Sequence, residues 1–317
     1  MPIISPDMPL RLVCRPGRTV TWKKFQEYPT RSIALDGYCS GRPQATKDGL
    51  RININHHEDV DRFATRSSCD QALILVKMGL YERLQEDGEP SATIYVNDSD
   101  QDVAFATYVL LHPNHADRPK LKQLIRLEDL LDMSAGLYPV RKRWALMRQL
   151  NWITEEYTEL RTHGKLSSLS ADEMEAVILR MHRRIRAALF GRVKEMDIDT
   201  RFERLEEHDG WTLIIERGKQ ARLGMAEAGI KAYVTVMEAG DKRWRYALGR
   251  LSPFIPFPIQ EICAALNEAE GIGRRDIDRW GGSENSGGSP RRTGSALTPD
   301  MVAAVVDDCL RGRGRSK

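Results

Sequence analysis

Leu50-Arg-Ile-Asn-Ile-Asn-His-His-Glu-Asp59 alternates apolar and polar side chains as far as Asn55 and is polar from there on. Alternation at a period of two marks a strand, because successive side chains point to opposite faces. The change at Asn55 puts two histidines and two acids just past the strand's carboxyl end. The same design recurs on either side. Upstream, Arg31-Ser-Ile-Ala-Leu-Asp36 is a strand-like run that stops at Asp36-Gly37, a turn signal. Downstream, Ala92-Thr-Ile-Tyr-Val96 is apolar and β-branched and ends in Asn97-Asp98. Helical spacings lie between and after these runs: Ala72, Leu73, Val76 and Leu80, then residues 103–111. Strands alternating with helices, polar at the strand ends, predict an α/β domain with a parallel sheet.

The middle of the chain reads as helix. Residues 120–133 are amphipathic, Gly136 offers a stop, and 141–162 continue in the same manner. Ser170-Ala-Asp-Glu173 is a capping-box signature. It opens a helix with Met174, Val177, Ile178, Met181 and Ile185 on one face, and with Arg180, Arg183, Arg184 and Arg186 read as a solvated face. The period changes again from Trp211. Strands are expected at 211–216, 231–237 and 243–250, and helices at 220–228 and 259–269. A Gly/Ser-rich stretch covers 280–295, and a last helix runs from Thr298, with Pro299 at its first position, to Leu310. The expected organisation is 1–118, an α/β domain with a parallel sheet; 119–200, a helical insert or linker; 201–310, a smaller α+β domain with a cleft between it and the first; and 311–317, a disordered basic tail.

Composition bounds the function classes. The chain has 317 residues, 41% hydrophobic and 29% charged, enough for two domains with separate cores. No apolar run reaches the ~18 residues of a membrane span. The first residues lack the basic-then-apolar order of a signal peptide. Five cysteines form no CxxC pair, which argues against a disulfide framework or zinc ribbon and fits a reducing cytoplasm. The balance of 48 basic against 45 acidic residues does not announce a nucleic-acid binder.

Three polar clusters follow strands, where open parallel sheets bind ligands. Asp36 is the first; alone it is an ordinary turn aspartate. His56 and His57 are the second, either hydrogen-bonded loop histidines or imidazole ligands to a divalent metal. Asp98, Asp100 and Asp102 are the third. Three carboxylates within five residues repel unless water, a cation or helix amides offset them. One of them is expected to cap the next helix, leaving hard oxygen donors for Mn2+ or Mg2+. Asp132 is a further candidate ligand whose helical position makes exposure the expectation. His112 and His115 read as exposed loop histidines. In the Gly/Ser-rich stretch, Gly287 and Gly288 let a backbone approach a phosphate closely, and Ser289, Arg291, Arg292 and Thr293 add donors; the alternative is a flexible linker.

These positions, in this order, resemble the DHH phosphoesterase superfamily with its DHH-associated C-terminal domain. Ser32-Ile-Ala-Leu-Asp36 resembles the strand ending in a metal-ligand Asp. Ile54-Asn55-His56-His57 resembles the Asp-His-His motif, and Val96-Asn-Asp-Ser-Asp100 the last metal-binding aspartate. Ser286-Gly-Gly-Ser-Pro-Arg-Arg-Thr-Gly294 is similar to the GGGHPxAAG loop, which with a strand Arg, here Arg250, holds the substrate phosphate. The chain departs from the family in four ways. Residues 1–35 contain no histidine, and their only Asp is Asp7, so the first His-x-Asp-x-Asp motif is missing. Asn55 replaces the Asp of Asp-His-His, Ser289 replaces the loop histidine, and ~90 helical residues separate the halves.

The resemblance implies a metal-dependent phosphoesterase using one or two Mn2+ or Mg2+ ions. Asp36, His56, His57 and Asp98 would be ligands, with Asp100 and Asp102 as candidates. His56 or His57 would alternatively act on the leaving group. Arg250, Gly287, Gly288, Ser289 and Arg291 would hold a nucleotide, cyclic dinucleotide or short oligonucleotide. The partners expected are that phosphorylated substrate and no membrane, with homodimerisation left open. Two alternatives stand beside this reading: a phosphate-ligand binder that has lost catalysis, and a nucleic-acid-binding protein resting on the arginine helix and basic tail.

Overall fold

The computed structural model describes residues 3–4, 9–273 and 276–314. The chain divides into two compact units, Met1–Asp132 with Arg141–Asp197, and Met133–Val140 with Ile198–Lys317.

The first unit is built on β1 (Ile3–Ile4), β2 (Leu10–Cys14), β3 (Ser32–Leu35), β4 (Gln44–Ala45), β5 (Arg51–Ile54) and, after the small β6 (Gln85–Glu86) and β7 (Glu89–Pro90) hairpin, β8 (Ala92–Val96). The sheet order is β1-β2-β8-β3-β5-β4. The four central strands are parallel, and the two-residue edges β1 and β4 run antiparallel. β3 sits between β5 and β8, and all four of its residues are buried, as a strand covered on both faces requires. That position gathers the segments after β3, β5 and β8 at one end of the sheet. The strand β2 was not legible in the sequence reading, although Leu10, Leu12 and Cys14 carry the buried alternation.

The helices of this unit are α1 (Trp22–Phe25), α2 (Ser68–Lys77), α3 (Leu80–Arg83), α4 (Gln101–Leu111), α5 (Pro119–Met133), α6 (Ala145–Thr162) and α7 (Ala171–Leu189). α4 is buried from Asp102 to Leu111 because it is apolar all round, and it packs between α2 and α7. The expected capping box opens α7: Ser170 Oγ accepts from the Glu173 amide, and Glu173 accepts from the Ser170 amide. Its apolar stripe is buried as the spacing predicts. The arginine face is not merely solvated. Arg180 pairs with Glu156, and Arg184 lies 2.9 Å from Glu155 while covering the Trp152 ring. His112 and His115 are not exposed but half-buried in an aromatic cluster with Tyr108 and His182.

The second unit holds β9 (Phe202–His208), β10 (Trp211–Glu216), β11 (Ala232–Gly240), β12 (Arg243–Arg250), β13 (Gly281–Gly282) and β14 (Ser286–Gly288), in the order β13-β14-β12-β11-β10-β9. Only the β10–β11 pair is parallel, joined by α8 (Ala221–Glu227). Period-two alternation sorts its core. Trp211, Leu213, Val234 and Val236 face α9 (Ile259–Glu270) and α10 (Pro299–Gly314), while Ile214 and Tyr233 face α8 and Leu137. Tyr233 Oη donates to the Ala135 carbonyl, and Asn285 Nδ2 to that of Met133, which ties 133–140 into this unit. Within the glycine-rich stretch, 281–282 and 286–288 form β13 and β14, which join the sheet beside β12 rather than act as a flexible linker. α10 continues four residues past the expected end at Leu310; the last residues of the expected tail, 315–317, lie outside the described residues. Among the described residues no helix is long and apolar enough to cross a membrane.

Candidate metal centre

The strand-end turns are built by local chemistry. Asp36 adopts φ 49° and Gly37 φ 81°, left-handed conformations that aspartate tolerates and glycine favours. A Cβ on Gly37 would reach 3.4 Å from the His57 ring, so a bare residue there gives that ring room. Asn55 is fully buried. Its Oδ1 accepts from the amides of His56 (2.9 Å) and His57 (3.2 Å), and its Nδ2 donates to the carbonyls of Gly41 (2.8 Å) and Cys39 (3.4 Å). Asn55 therefore turns the chain and presents both imidazoles. A carboxylate could not make the two donor bonds. Asn55→Asp, which restores the acid of the resembling motif, is expected to destabilise the fold by about 3 kcal/mol, read as a lowered urea midpoint, because a buried charge would face two carbonyl oxygens.

The imidazoles meet three carboxylates. His57 Nε2 lies 2.8 Å from Asp36 Oδ1. His56 Nε2 lies 3.2 Å from Asp36 Oδ1, 3.2 Å from Asp132 Oδ2 and 3.4 Å from Asp102 Oδ2. His56 is 0% exposed, and neither its Nε2 nor Asp132 Oδ2 makes a hydrogen bond. Donors ~2.1 Å from one ion and at right or tetrahedral angles stand ~3.0–3.4 Å from each other. The three His56 separations match that spacing, and the 2.8 Å between His57 and Asp36 is that of a hydrogen bond. Two overlapping donor groups result, Asp36-His56-His57 and His56-Asp102-Asp132.

Neighbouring groups hold these donors in place. Both Asp102 oxygens accept amides from the start of α2, Ser68 and Cys69, at 2.7 Å each. Ser68 Oγ donates to Asp36 Oδ1 at 3.0 Å. Asp129 accepts from the Ser67 amide at 2.9 Å and from Arg66 and Arg126. Arg62, 2% exposed, donates to His56 Nδ1 (2.5 Å) and to the His56 carbonyl (2.6 Å). A neutral His56 ring accepting at Nδ1 carries its hydrogen on Nε2. An ion at Nε2 takes that hydrogen's place, so binding releases a proton.

Electrostatics sharpen the picture. Burial alone would raise Asp36, but the charge on His57 and its hydrogen bond, with the His56 ring beside it, hold it well below the usual carboxylate range. Burial, then the charges of Asp36 and Asp132, push Asp102 well above that range. Glu128 is raised in the same way by burial and by Asp132 and Asp102. Burial lowers His56 despite the opposing charge of Asp132. For His57 burial is outweighed by the charge and hydrogen bond of Asp36, which raise it. The pocket thus concentrates buried negative charge that a cation would relieve.

The structure therefore brings together Asp36, His56, His57 and Asp102 of the residues expected as ligands. Asp100 is the helix cap, accepting from the Val103 amide at 2.8 Å, and Asp98 accepts from the Ser99 amide; both stand outside the two donor groups. Asp132, expected on the surface, takes the remaining place. Its signal was present in the sequence: it continues the buried stripe Leu121, Ile125 and Glu128 of α5, where an acid is out of place. Arg62 had no such signal.

In the second unit, Arg250 is 8% exposed and committed to the fold. Its Nε donates to the Glu284 carbonyl (2.9 Å), and Nη1 to the carbonyls of Ile255 (3.0 Å) and Pro253 (3.4 Å). Ser289 Oγ accepts from the Tyr246 amide at 3.0 Å. Gly287 and Gly288 pair with β12, and a Cβ on Gly287 would meet Ile259 Cγ2 at 2.7 Å, so α9 packing demands glycine there. Arg291 is exposed.

No protein-family model matches the chain, and no curated protein matches it in sequence. Among solved structures it is similar to the crystal structure of an exopolyphosphatase-related protein from Bacteroides fragilis. The identity is 12%, over 90% of this chain and 72% of that one, with a TM-score of 0.31. A likeness this distant carries neither fold nor function across.

Proposed function

We propose that the protein is a divalent-metal-dependent phosphoester hydrolase of the DHH type, acting on a nucleotide, cyclic dinucleotide or short oligonucleotide. The observation that carries this reading is the buried His56 Nε2, without a hydrogen bond and faced by three carboxylate oxygens at 3.2–3.4 Å. Asp36, His56, Asp102 and Asp132 would hold the ion, with His57 hydrogen-bonded to Asp36 beside it, and hard carboxylates mixed with imidazole suit Mn2+ or Mg2+. Bound there, such an ion supplies Lewis acidity toward a phosphoryl oxygen and lowers the pKa of a coordinated water.

The remaining chemistry belongs to the chain. His56 and His57 are pushed apart in acidity, the first toward neutrality and the second toward its charged form. Such pairs divide acid and base roles. His57, a third exposed and held by Asp36, can donate a proton to a leaving oxygen from its edge of the cluster. Arg62 and Asn55 fix the orientation of His56. The four buried cysteines are free thiols, in keeping with a reducing cytoplasm.

A second reading, a phosphate-ligand binder without catalysis, is favoured by one observation: residues 1–35 hold no histidine and Asp7 as their only Asp, so the first metal motif of the resembling family is absent. Metal analysis after Mn2+ loading, with turnover of methyl p-nitrophenyl phosphate, separates the two. Bound Mn2+ with turnover at least a hundredfold above the metal-free protein is expected. Bound Mn2+ without turnover supports the second reading. No bound ion and no turnover of mono- or diesters overturn both.

A further inference from the structure

Glu128 lies on α5 one turn before Asp132. It is 4% exposed, and its Oε2 makes no hydrogen bond among the described residues. The next residue, Asp129, is also buried but is met by the Ser67 amide, Arg66 and Arg126. The charges that act most on Glu128 are those of Asp132, Asp102 and Asp129, all of them negative. A leucine would continue the apolar stripe of Leu121, Leu124 and Ile125. A buried acid with an unpaired oxygen weakens a fold, charged or neutral. Stability therefore does not account for an acid at this position.

Its surroundings do. Side chains four apart share a helix face, so Glu128 points the same way as Asp132, whose Oδ2 stands 3.2 Å from His56 Nε2. The opposite wall is the start of α2. Cys69 Sγ lies 4.0 Å from the Ile125 carbonyl, and the Ser67 amide donates to Asp129 at 2.9 Å, so two contacts bracket Glu128 against that helix start. The Cys69 amide in turn holds Asp102 Oδ1 at 2.7 Å. Glu128 thus borders the His56-Asp102-Asp132 group without belonging to it, since the donors of that group lie within 4.8 Å of one another. A carboxylate set just behind the ligands acts on an ion through a coordinated water.

We propose that Glu128 is an outer carboxylate of the metal centre, its Oε2 accepting a hydrogen from a water held by the ion. It is a positioning residue: it orients that water and adds negative charge behind Asp102 and Asp132. The inference rests on the metal centre of the proposed function and on no particular substrate.

The test compares the full chain with Glu128→Leu and Glu128→Gln. Without metal, Glu128→Leu is expected to raise the Tm by about 2 °C, because an unpaired buried acid gives way to an apolar side chain. Both variants are expected to bind Mn2+ at least tenfold more weakly by calorimetry, as loss of an outer partner of a metal site does. Glu128→Gln keeps the shape of the side chain, so its loss of affinity is not one of packing. Relaxation of water protons by bound Mn2+ should be equal in the unaltered chain and the variants. A rise in the variants means that a water has replaced Glu128 on the ion itself and overturns the outer placement. A metal-free Tm of Glu128→Leu below that of the unaltered chain overturns the proposal, because the acid then serves the fold. Mn2+ binding weakened less than tenfold in either variant overturns it while the metal centre stands. An unaltered chain that binds no Mn2+ removes the metal centre and this inference together.

Discussion

Asp36→Asn lowers turnover of methyl p-nitrophenyl phosphate at least a thousandfold and weakens Mn2+ binding at least a hundredfold, while the protein remains folded. The substitution is chosen for what it leaves intact. Asparagine tolerates the left-handed φ of 49° as aspartate does, and its Oδ1 still accepts from Ser68 Oγ. What it removes is the charge at the oxygen that both histidines approach, at 2.8 and 3.2 Å. A thousandfold loss corresponds to about 4 kcal/mol of transition-state stabilisation, within what a catalytic ion contributes. The second readout is stability. An ion at a hundred times its Kd stabilises the folded chain by about 2.7 kcal/mol, so added Mn2+ should raise the Tm of the unaltered protein and leave that of the variant nearly unchanged. Equal turnover by the two proteins would remove Asp36 from the centre and, with it, the basis of the proposed function.

The second large effect lies away from the site. His182 is buried on α7, and its Nε2 donates to Thr107 Oγ1 and the Ala104 carbonyl, both at 3.0 Å. Burial, and then the charge on His112, lower its pKa to about 3 despite the Ala104 bond. The unfolded chain returns it to ~6.5. A base depressed by folding stays neutral in both states above pH ~6.5, where its contribution to stability is complete. As the pH falls below that value the unfolded state takes up the proton first, and stability is lost at about 1.4 kcal/mol per unit, roughly 5 kcal/mol in all by pH 3. His182→Gln keeps a donor toward Thr107 and Ala104 and removes the titration. Carboxylates contribute to acid unfolding in both proteins, so the comparison is the difference in slope. Urea midpoints measured every half unit from pH 7 to 4 should show the variant's stability falling more slowly by that amount. Parallel curves would mean that His182 is protonated in the fold.

Much of the architecture was legible because it is local. Strand and helix periods, the capping box at Ser170 and the polar breaks after Leu35, Ile54 and Val96 depend on neighbours a few residues away, and the structure places elements at each. The glycine-rich stretch shows what local reading leaves open. Gly287 looked like backbone bared for a phosphate, yet the atom that excludes a side chain there is Ile259 Cγ2 of a packed helix. Arg250 looked like a phosphate donor, yet its hydrogens go to carbonyls at 253–255 and 284. Both residue types are right for either task, and only their surroundings distinguish them.

The sequence by itself determined that acids and histidines would cluster at the ends of parallel strands, since alternation and turn chemistry are properties of short segments. Tertiary structure decided which of them meet. Asp102 rather than Asp98 faces His56 because the α2 amides of Ser68 and Cys69 take up its carboxylate, while Asp100 is spent on capping α4. Asp132 joins from a helix more than seventy residues along the chain, and Arg62 turns inward to set the His56 ring. Such choices depend on distances between segments remote in sequence and on the loss of water around them, and only the packed fold supplies both.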